Sequence, residues 1–126
     1  MRTIIAGTRD IISYYQVVTA IRESGFEITE VISGTARGVD SLGERWAREK
    51  NIPCQQFPAQ WDKYGKSAGY RRNEDMAKVA DALIAVWDGQ SRGTKHMINI
   101  ARTRGLQVFI RFVNFKEVGN ANLCSK

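Results

Sequence analysis

Cysteine, proline and histidine are scarce in this chain, with two, two and one among 126 residues. Cys54 and Cys124 lie far apart, with no Cys-x-x-Cys pair and no His/Cys cluster of the kind that builds a zinc site. Two free thiols fit a reducing compartment better than an oxidising one. So few prolines argue against a linker, and neither a low-complexity stretch nor an internal repeat is visible. No hydrophobic run approaches the ~18 residues that a membrane span needs. The opening Met1-Arg2-Thr3-Ile4-Ile5-Ala6-Gly7 is too short in its apolar run for a signal peptide. The expectation is a cytoplasmic protein with no membrane partner.

What remains is ordinary for one globular domain: 43% hydrophobic and 25% charged residues, enough for one sheet covered by a few helices. The charge is less ordinary. A formal +6 at pH 7 favours anionic partners such as nucleotides or nucleic acid, although it serves solubility equally well.

Short β-rich runs alternate with amphipathic stretches, the pattern of βαβ units around a parallel sheet. Strands are predicted at Thr3–Ala6, Ile28–Ile32, Pro53–Phe57, Ala82–Trp87 and Gln107–Phe112. Ala82–Trp87 is the most apolar run, and therefore the candidate for the sheet centre. Helices are predicted over Ile11–Ser24, where Tyr14, Val17, Val18 and Ile21 share a face, and over Val39–Lys50, Tyr70–Val79 and Thr94–Arg104. Pro58 to Gly69 reads as an irregular loop, long enough to suggest a functional one. The fold class is α/β: a three-layer sandwich with a mainly parallel five-stranded sheet. Its domain is expected to cover residues 1–112, with 113–126 a C-terminal extension, either an edge element or a loose tail.

Ligands of open parallel sheets bind beyond the carboxyl ends of the strands, where the strand order reverses. Three segments rich in glycine and small hydroxyls occupy that edge. They are Gly7-Thr8-Arg9-Asp10, then Ser33-Gly34-Thr35-Ala36-Arg37-Gly38-Val39-Asp40, and Asp88-Gly89-Gln90-Ser91-Arg92-Gly93-Thr94. A glycine lets the backbone approach a phosphate, and the helix that follows offers unpaired N–H groups and a partial positive charge. Any one of these loops reads equally as a tight turn with an N-cap. Three on one edge, each with an arginine, point to a ligand. Asp40, in a first helical turn, complements the helix dipole, reads a ribose or organises the loop backbone. His96, without an identifiable partner, reads as a polar surface residue. In the long loop, Trp61, Tyr64 and Tyr70 interleave with Lys63, Lys66, Arg71 and Arg72, a pattern suited to stacking on a base while pairing with phosphate.

These segments, with Phe57-Pro58-Ala59-Gln60-Trp61, Gly65, Ala68-Gly69, Arg72-Asn73 and Met76, resemble the SLOG superfamily of Rossmann-like domains, in its YspA-like branch of bacteria and phages. The resemblance runs to about Phe112. The superfamily includes the single-stranded DNA-binding protein DprA, whose serine-glycine stretch Ser33–Asp40 resembles. It also includes the LOG phosphoribohydrolases, whose glycine-rich loop resembles the segment ending Gly93-Thr94. This chain departs from the LOG pattern at Met97, where a glutamate belongs, and at Asn73, where a lysine belongs.

The expectation is therefore a domain that senses or sequesters a nucleotide or nucleotide derivative. Phosphate would meet the backbone near Gly34, Gly38 and Gly93, with Thr94. Arg9, Arg37 and Arg72 would neutralise it, Asp40 or Asp88 would read ribose hydroxyls, and Trp61 or Tyr70 would cover the base. Gly7, Thr8, Ser33, Ala36, Asn73 and Ser91 complete the candidate set. The catalytic residues are unassigned and no metal ligand is expected, although Mg²⁺ is compatible with a phosphate ligand. Two alternatives stand beside this: a nucleoside-phosphate N-glycosidase, and a DprA-like binder of single-stranded nucleic acid. Relatives of this architecture pair through helices, which implies a homodimer or larger assembly.

Overall fold

The alternating pattern becomes a parallel sheet in the computed structural model, which describes residues 1–114. Five strands, β1 (Arg2–Gly7), β2 (Glu30–Ser33), β3 (Cys54–Gln56), β4 (Ala82–Trp87) and β5 (Gln107–Phe112), lie in the order β3-β2-β1-β4-β5. Every pairing is parallel, with Ile4 beside Ile32 on one side and Leu83 on the other. The helices are α1 (Tyr14–Ser24), α2 (Val39–Glu49), α3 (Trp61–Tyr64), α4 (Ala68–Val79) and α5 (Arg92–Thr103). This is the expected Rossmann-like three-layer sandwich.

Strand alternation divides the core into two layers. Ile5, Val31, Ile84 and Val86 face α1 and α2, where they meet Val17, Ala20, Trp46 and Ala47. Ile4, Ala6, Ile32, Leu83 and Ala85 face α4 and α5, where they meet Met76, Met97, Ile98 and Ala101. Both faces are covered, so β1 and β4 read as continuous apolar runs rather than alternating ones. Each fully buried Ile or Leu contributes roughly 1.5–3 kcal/mol by leaving water.

Several boundaries differ from the sequence reading. The middle strand is β1, with β4 beside it: apolar content reports burial on two faces, and both strands have that. The first helix begins at Tyr14, not Ile11. Ile11 is buried and spaced three and seven residues from Tyr14 and Val18, but its N–H bonds to the Thr8 carbonyl in a turn, so its burial imitates helical periodicity. Residues 58–69 are not wholly irregular, since they hold α3, a 3-10 turn at Gly65–Ser67 and the start of α4. Elements this short carry no periodic signature. Val113 is buried and continues the β4–β5 ladder by donating its N–H to the Trp87 carbonyl at 2.8 Å. The rest of the expected extension, from residue 115, lies outside the described residues.

Among the described residues, no helix is long and apolar enough to cross a membrane. The chain leaves β1 toward β2 and β3, then crosses back to β4 on the other side of β1. The switch point therefore falls between the carboxyl ends of β1 and β4.

Candidate functional site

A two-chambered cleft opens at that switch point. The inner chamber, about 230 Å³, has an apolar floor of Ala6, Met76 and Met97, with Asp40, Asn73, Ser91 and Thr94 among its polar walls. The outer chamber, about 400 Å³, is bounded by Gly34, Thr35, Arg37, Pro58 and Ala59. Arg9, Ala36, Trp61 and Arg72 border both.

The loop after β2 is shaped by carboxylates and a hydroxyl rather than by glycine alone. Ser33 Oγ accepts the Thr35 N–H at 3.1 Å and donates to Glu44 Oε2 at 2.6 Å. Asp40 Oδ2 accepts the Ala36 N–H at 3.1 Å. Thr35 adopts a left-handed φ of 63°, uncommon for a residue with a β-branched side chain. The Arg72 guanidinium lies over Gly34 and donates to its carbonyl oxygen. A Cβ at Gly34 would come within 2.6 Å of Arg72 Nη1 and 2.8 Å of Asp40 Oδ2, so the glycine makes room for the arginine.

Asp40 is 5% exposed. Burial pushes its carboxyl up to about 6, against the opposing pull of the Ala36 N–H, Arg72 and Arg9. Burial also lowers the Arg72 guanidinium from its usual value, partly offset by Asp40. A half-buried cation and a buried carboxyl thus share one wall of the cleft, the kind of perturbed pair that marks functional sites.

Beside Arg72, Asn73 links α4 to α5. Its amide nitrogen donates to the Gly93 carbonyl at 3.2 Å and faces His96 Nδ1 at 3.2 Å, while its oxygen accepts from Arg72 Nε at 3.0 Å. Arg72 can only donate and a carbonyl can only accept, which fixes the amide orientation. His96 Nδ1 is then the acceptor and its proton sits on Nε2. Burial lowers the His96 pKa, and its ring packs 4.2 Å from that of Tyr70. His96 is therefore a half-buried brace rather than the free surface residue expected from sequence. Ser91 caps α5, its Oγ accepting the Thr94 N–H at 3.4 Å.

The structure sorts the candidate residues. Arg9, Ala36, Asp40, Trp61, Tyr70 and Arg72 converge on the inner chamber, as do Asn73, Ser91, Gly93 and Thr94. Gly34 and Arg37 border only the outer one, and Arg37 pairs with Asp10 at 3.2 Å on the surface. Thr8, Ser33, Gly38 and Asp88 border neither chamber. Thr8 is buried, its Oγ1 accepting the Asp88 N–H at 3.1 Å. Burial raises the Asp88 carboxyl, but the N–H groups of Ser91 and Gln90 outweigh it and hold the group below its usual value. Gly38, at φ 76°, sits where a Cβ would overlap the Arg9 carbonyl. Gly7 borders the inner chamber, yet a Cβ there would overlap the Val86 carbonyl oxygen.

Sequence reasoning missed the chamber floor. Met76 and Met97 fall on core-facing helix positions, and nothing in the spacing separates a core methionine from one at the base of a cleft. Lys66, on the inner chamber, was read among the loop cations that pair with phosphate but was not placed in the candidate set.

The comparisons agree with this architecture. Residues 1–64 match the YspA, cpYpsA-related SLOG family, called YAcAr. The Gene 61 protein of Mycobacterium phage D29 is 37% identical over 84 residues, covering 62% of this chain and 67% of the phage protein. The matched half carries β1, β2, α2 and the loops bearing Arg9, Gly34 and Asp40, and on these grounds the chain belongs to the YspA, cpYpsA-related SLOG family.

Proposed function

We propose that this domain binds a nucleotide or nucleotide-derived ligand in the cleft at the β1/β4 switch point. The observation that carries this reading is the pairing of Arg9 and Arg72 across a concave site whose other wall is the glycine-bearing first turn of α5. Cations at the waist suit a phosphate. The α5 N-terminus, with no acidic residue in its first turn, adds a partial positive charge. Trp61, 50% exposed, and Tyr70, 45% exposed, stand at the rim as surfaces on which a base stacks. Membership of a SLOG family supports the same reading. A Mg²⁺ would be held mainly by the phosphate oxygens, since Asp40 is the one carboxylate among the described residues that borders either chamber.

A ligand that binds only the folded state raises its melting midpoint with concentration. Mononucleotides, dinucleotides, cyclic nucleotides and short single-stranded DNA form the panel. At least one small nucleotide is expected to shift the midpoint, and Arg72→Ala to abolish the shift. Silence of every small nucleotide at millimolar concentration ends this reading. A response to DNA alone, weakening steeply with salt, moves the function to nucleic acid.

One observation favours an enzymatic reading, a nucleoside-phosphate N-glycosidase. Asp40 titrates near 6 on the cleft wall, in the range of a general acid or base. Met97, buried in the chamber floor at the position of the LOG glutamate, weighs against the LOG arrangement of that chemistry. Release of free base from nucleoside monophosphates, lost in Asp40→Asn, is the discriminating result.

A further inference from the structure

We propose that His96, which borders neither chamber, positions the cleft residue Arg72 through Asn73. The proposal deepens the nucleotide reading above and rests on it for the ligand alone. Arg72 has a long, rotamer-rich side chain, and two bonds hold its guanidinium. Nε–H donates to Asn73 Oδ1 at 3.0 Å, and Nη1 donates to the Gly34 carbonyl. Nη2 has no hydrogen-bond partner among the described residues, and Arg72 borders the cleft. The two bonds therefore choose which edge of a planar, many-donor cation is left for an anion.

The Asn73 amide makes the first of these bonds in one orientation only. It is buried, and its nitrogen meets two acceptors, the Gly93 carbonyl and His96 Nδ1, each at 3.2 Å. A turned-over amide would bring its NH₂ against the Arg72 Nε–H, donor against donor. It would also turn its oxygen to the Gly93 carbonyl, acceptor against acceptor. His96 completes the lock only while Nδ1 carries no proton, because a proton there would meet the NH₂ group. Burial favours the neutral ring, and Glu74 on α4, the charge acting on it, pulls the other way. The ring is itself steadied by Tyr70, 4.2 Å away between centroids. Removing Nδ1 frees one of the two restraints on the amide nitrogen. The loss then reaches Arg72 without any change in the residues that line the cleft.

The chain has one histidine, which makes the first test direct. Nitrogen-15 spectra of the imidazole in the ligand-free protein at pH 7.5 are expected to show a neutral ring protonated at Nε2. A proton on Nδ1 overturns the proposal. The second test is His96→Phe, which keeps a ring against Tyr70 and lacks the acceptor; His96→Leu takes its place if that variant does not fold. The Arg72 Nε–H resonance, identified by its absence from Arg72→Lys, is expected to exchange with water about tenfold faster in the variant than in the parent. An unchanged exchange rate in a folded variant overturns the proposal. Calorimetric titration at fixed ionic strength with the 5′-monophosphates of adenosine, guanosine, cytidine and uridine supplies the ligand arm. For the tightest of them, His96→Phe is expected to weaken binding about fivefold, the worth of one hydrogen bond. In the Arg72→Lys background the same substitution is expected to change nothing, since its route to the ligand is gone. Equal losses in both backgrounds show a role independent of Arg72 and overturn the proposal. If none of the four binds the parent, that counts against the nucleotide reading alone, and the imidazole and guanidinium spectra decide the positioning role.

Discussion

Asp40→Asn is expected to raise the melting midpoint of the ligand-free protein at pH 7.5 and to flatten its pH dependence between about 4 and 6. The carboxyl moves from 3.8 to about 6 on folding, chiefly because burial disfavours its charge. Between those values the folded state binds more protons than the unfolded chain, so stability falls as pH rises through that window and stays low above it. At ~1.4 kcal/mol per unit, the penalty at neutral pH is about 3 kcal/mol. Asparagine carries no charge at any pH and still offers an oxygen to the Ala36 N–H, so it keeps the loop contact and escapes the penalty. For a domain of this size the gain is on the order of 10 °C. Near pH 4 the two proteins should melt together. The raised value already includes the attraction of Arg72 and Arg9. A variant melting below the parent at pH 7.5 would show that those arginines stabilise the carboxylate more than burial penalises it. Affinity for a phosphate-bearing ligand is expected to hold or rise in the variant, because the lost negative charge faces a cleft whose cations are Arg9 and Arg72.

Much of the fold was legible because the physics that builds it is local. Apolar runs mark β4 and β1, the latter ending in Gly7. Helical spacing marks α1 and α5, which stop at Gly25 and just before Gly105, both glycines with left-handed φ. The edge of the sheet that bears the site follows from the βαβ alternation alone. What was not legible depends on distance in sequence. Thr8 and Asp88 lie far apart in the chain and meet only because β1 pairs with β4. The link from Arg72 through Asn73 to Gly93 requires α4 and α5 to lie side by side. Asp40 was read as a helix-dipole residue, a ribose contact or an organiser of the loop backbone, and its bond to the Ala36 N–H fits the last. Its burial beside Arg72, which sets its chemistry, was not legible. The glycines were the most misleading, since one residue type served three purposes that sequence does not separate.

Two of those purposes are separated by a pair of substitutions. Gly7→Ala is expected to destabilise the fold by about 3 kcal/mol or more, in the upper range for overpacked sites. The added methyl overlaps the Val86 carbonyl oxygen and lies 2.8 Å from Val39 Cγ2. That oxygen is already held by the Thr8 N–H at 3.1 Å, and Val39 is fully buried at the start of α2, so neither neighbour can yield without opening the β1–β4 seam. Gly93→Ala is expected to do the reverse. No protein atom outside its own helix lies within 4 Å of the position its Cβ would take, and replacing a helical glycine by alanine stabilises by up to about 1 kcal/mol. The fold should therefore be as stable as the parent or slightly more so. Yet Gly93 borders the inner chamber, so the new methyl occupies space the protein leaves open, and affinity for any ligand seated there should fall about tenfold or more. Thermal melts and titrations on both variants give the four readings. A destabilised Gly93→Ala, or one that binds as the parent does, would mean that this glycine serves the helix and not the ligand.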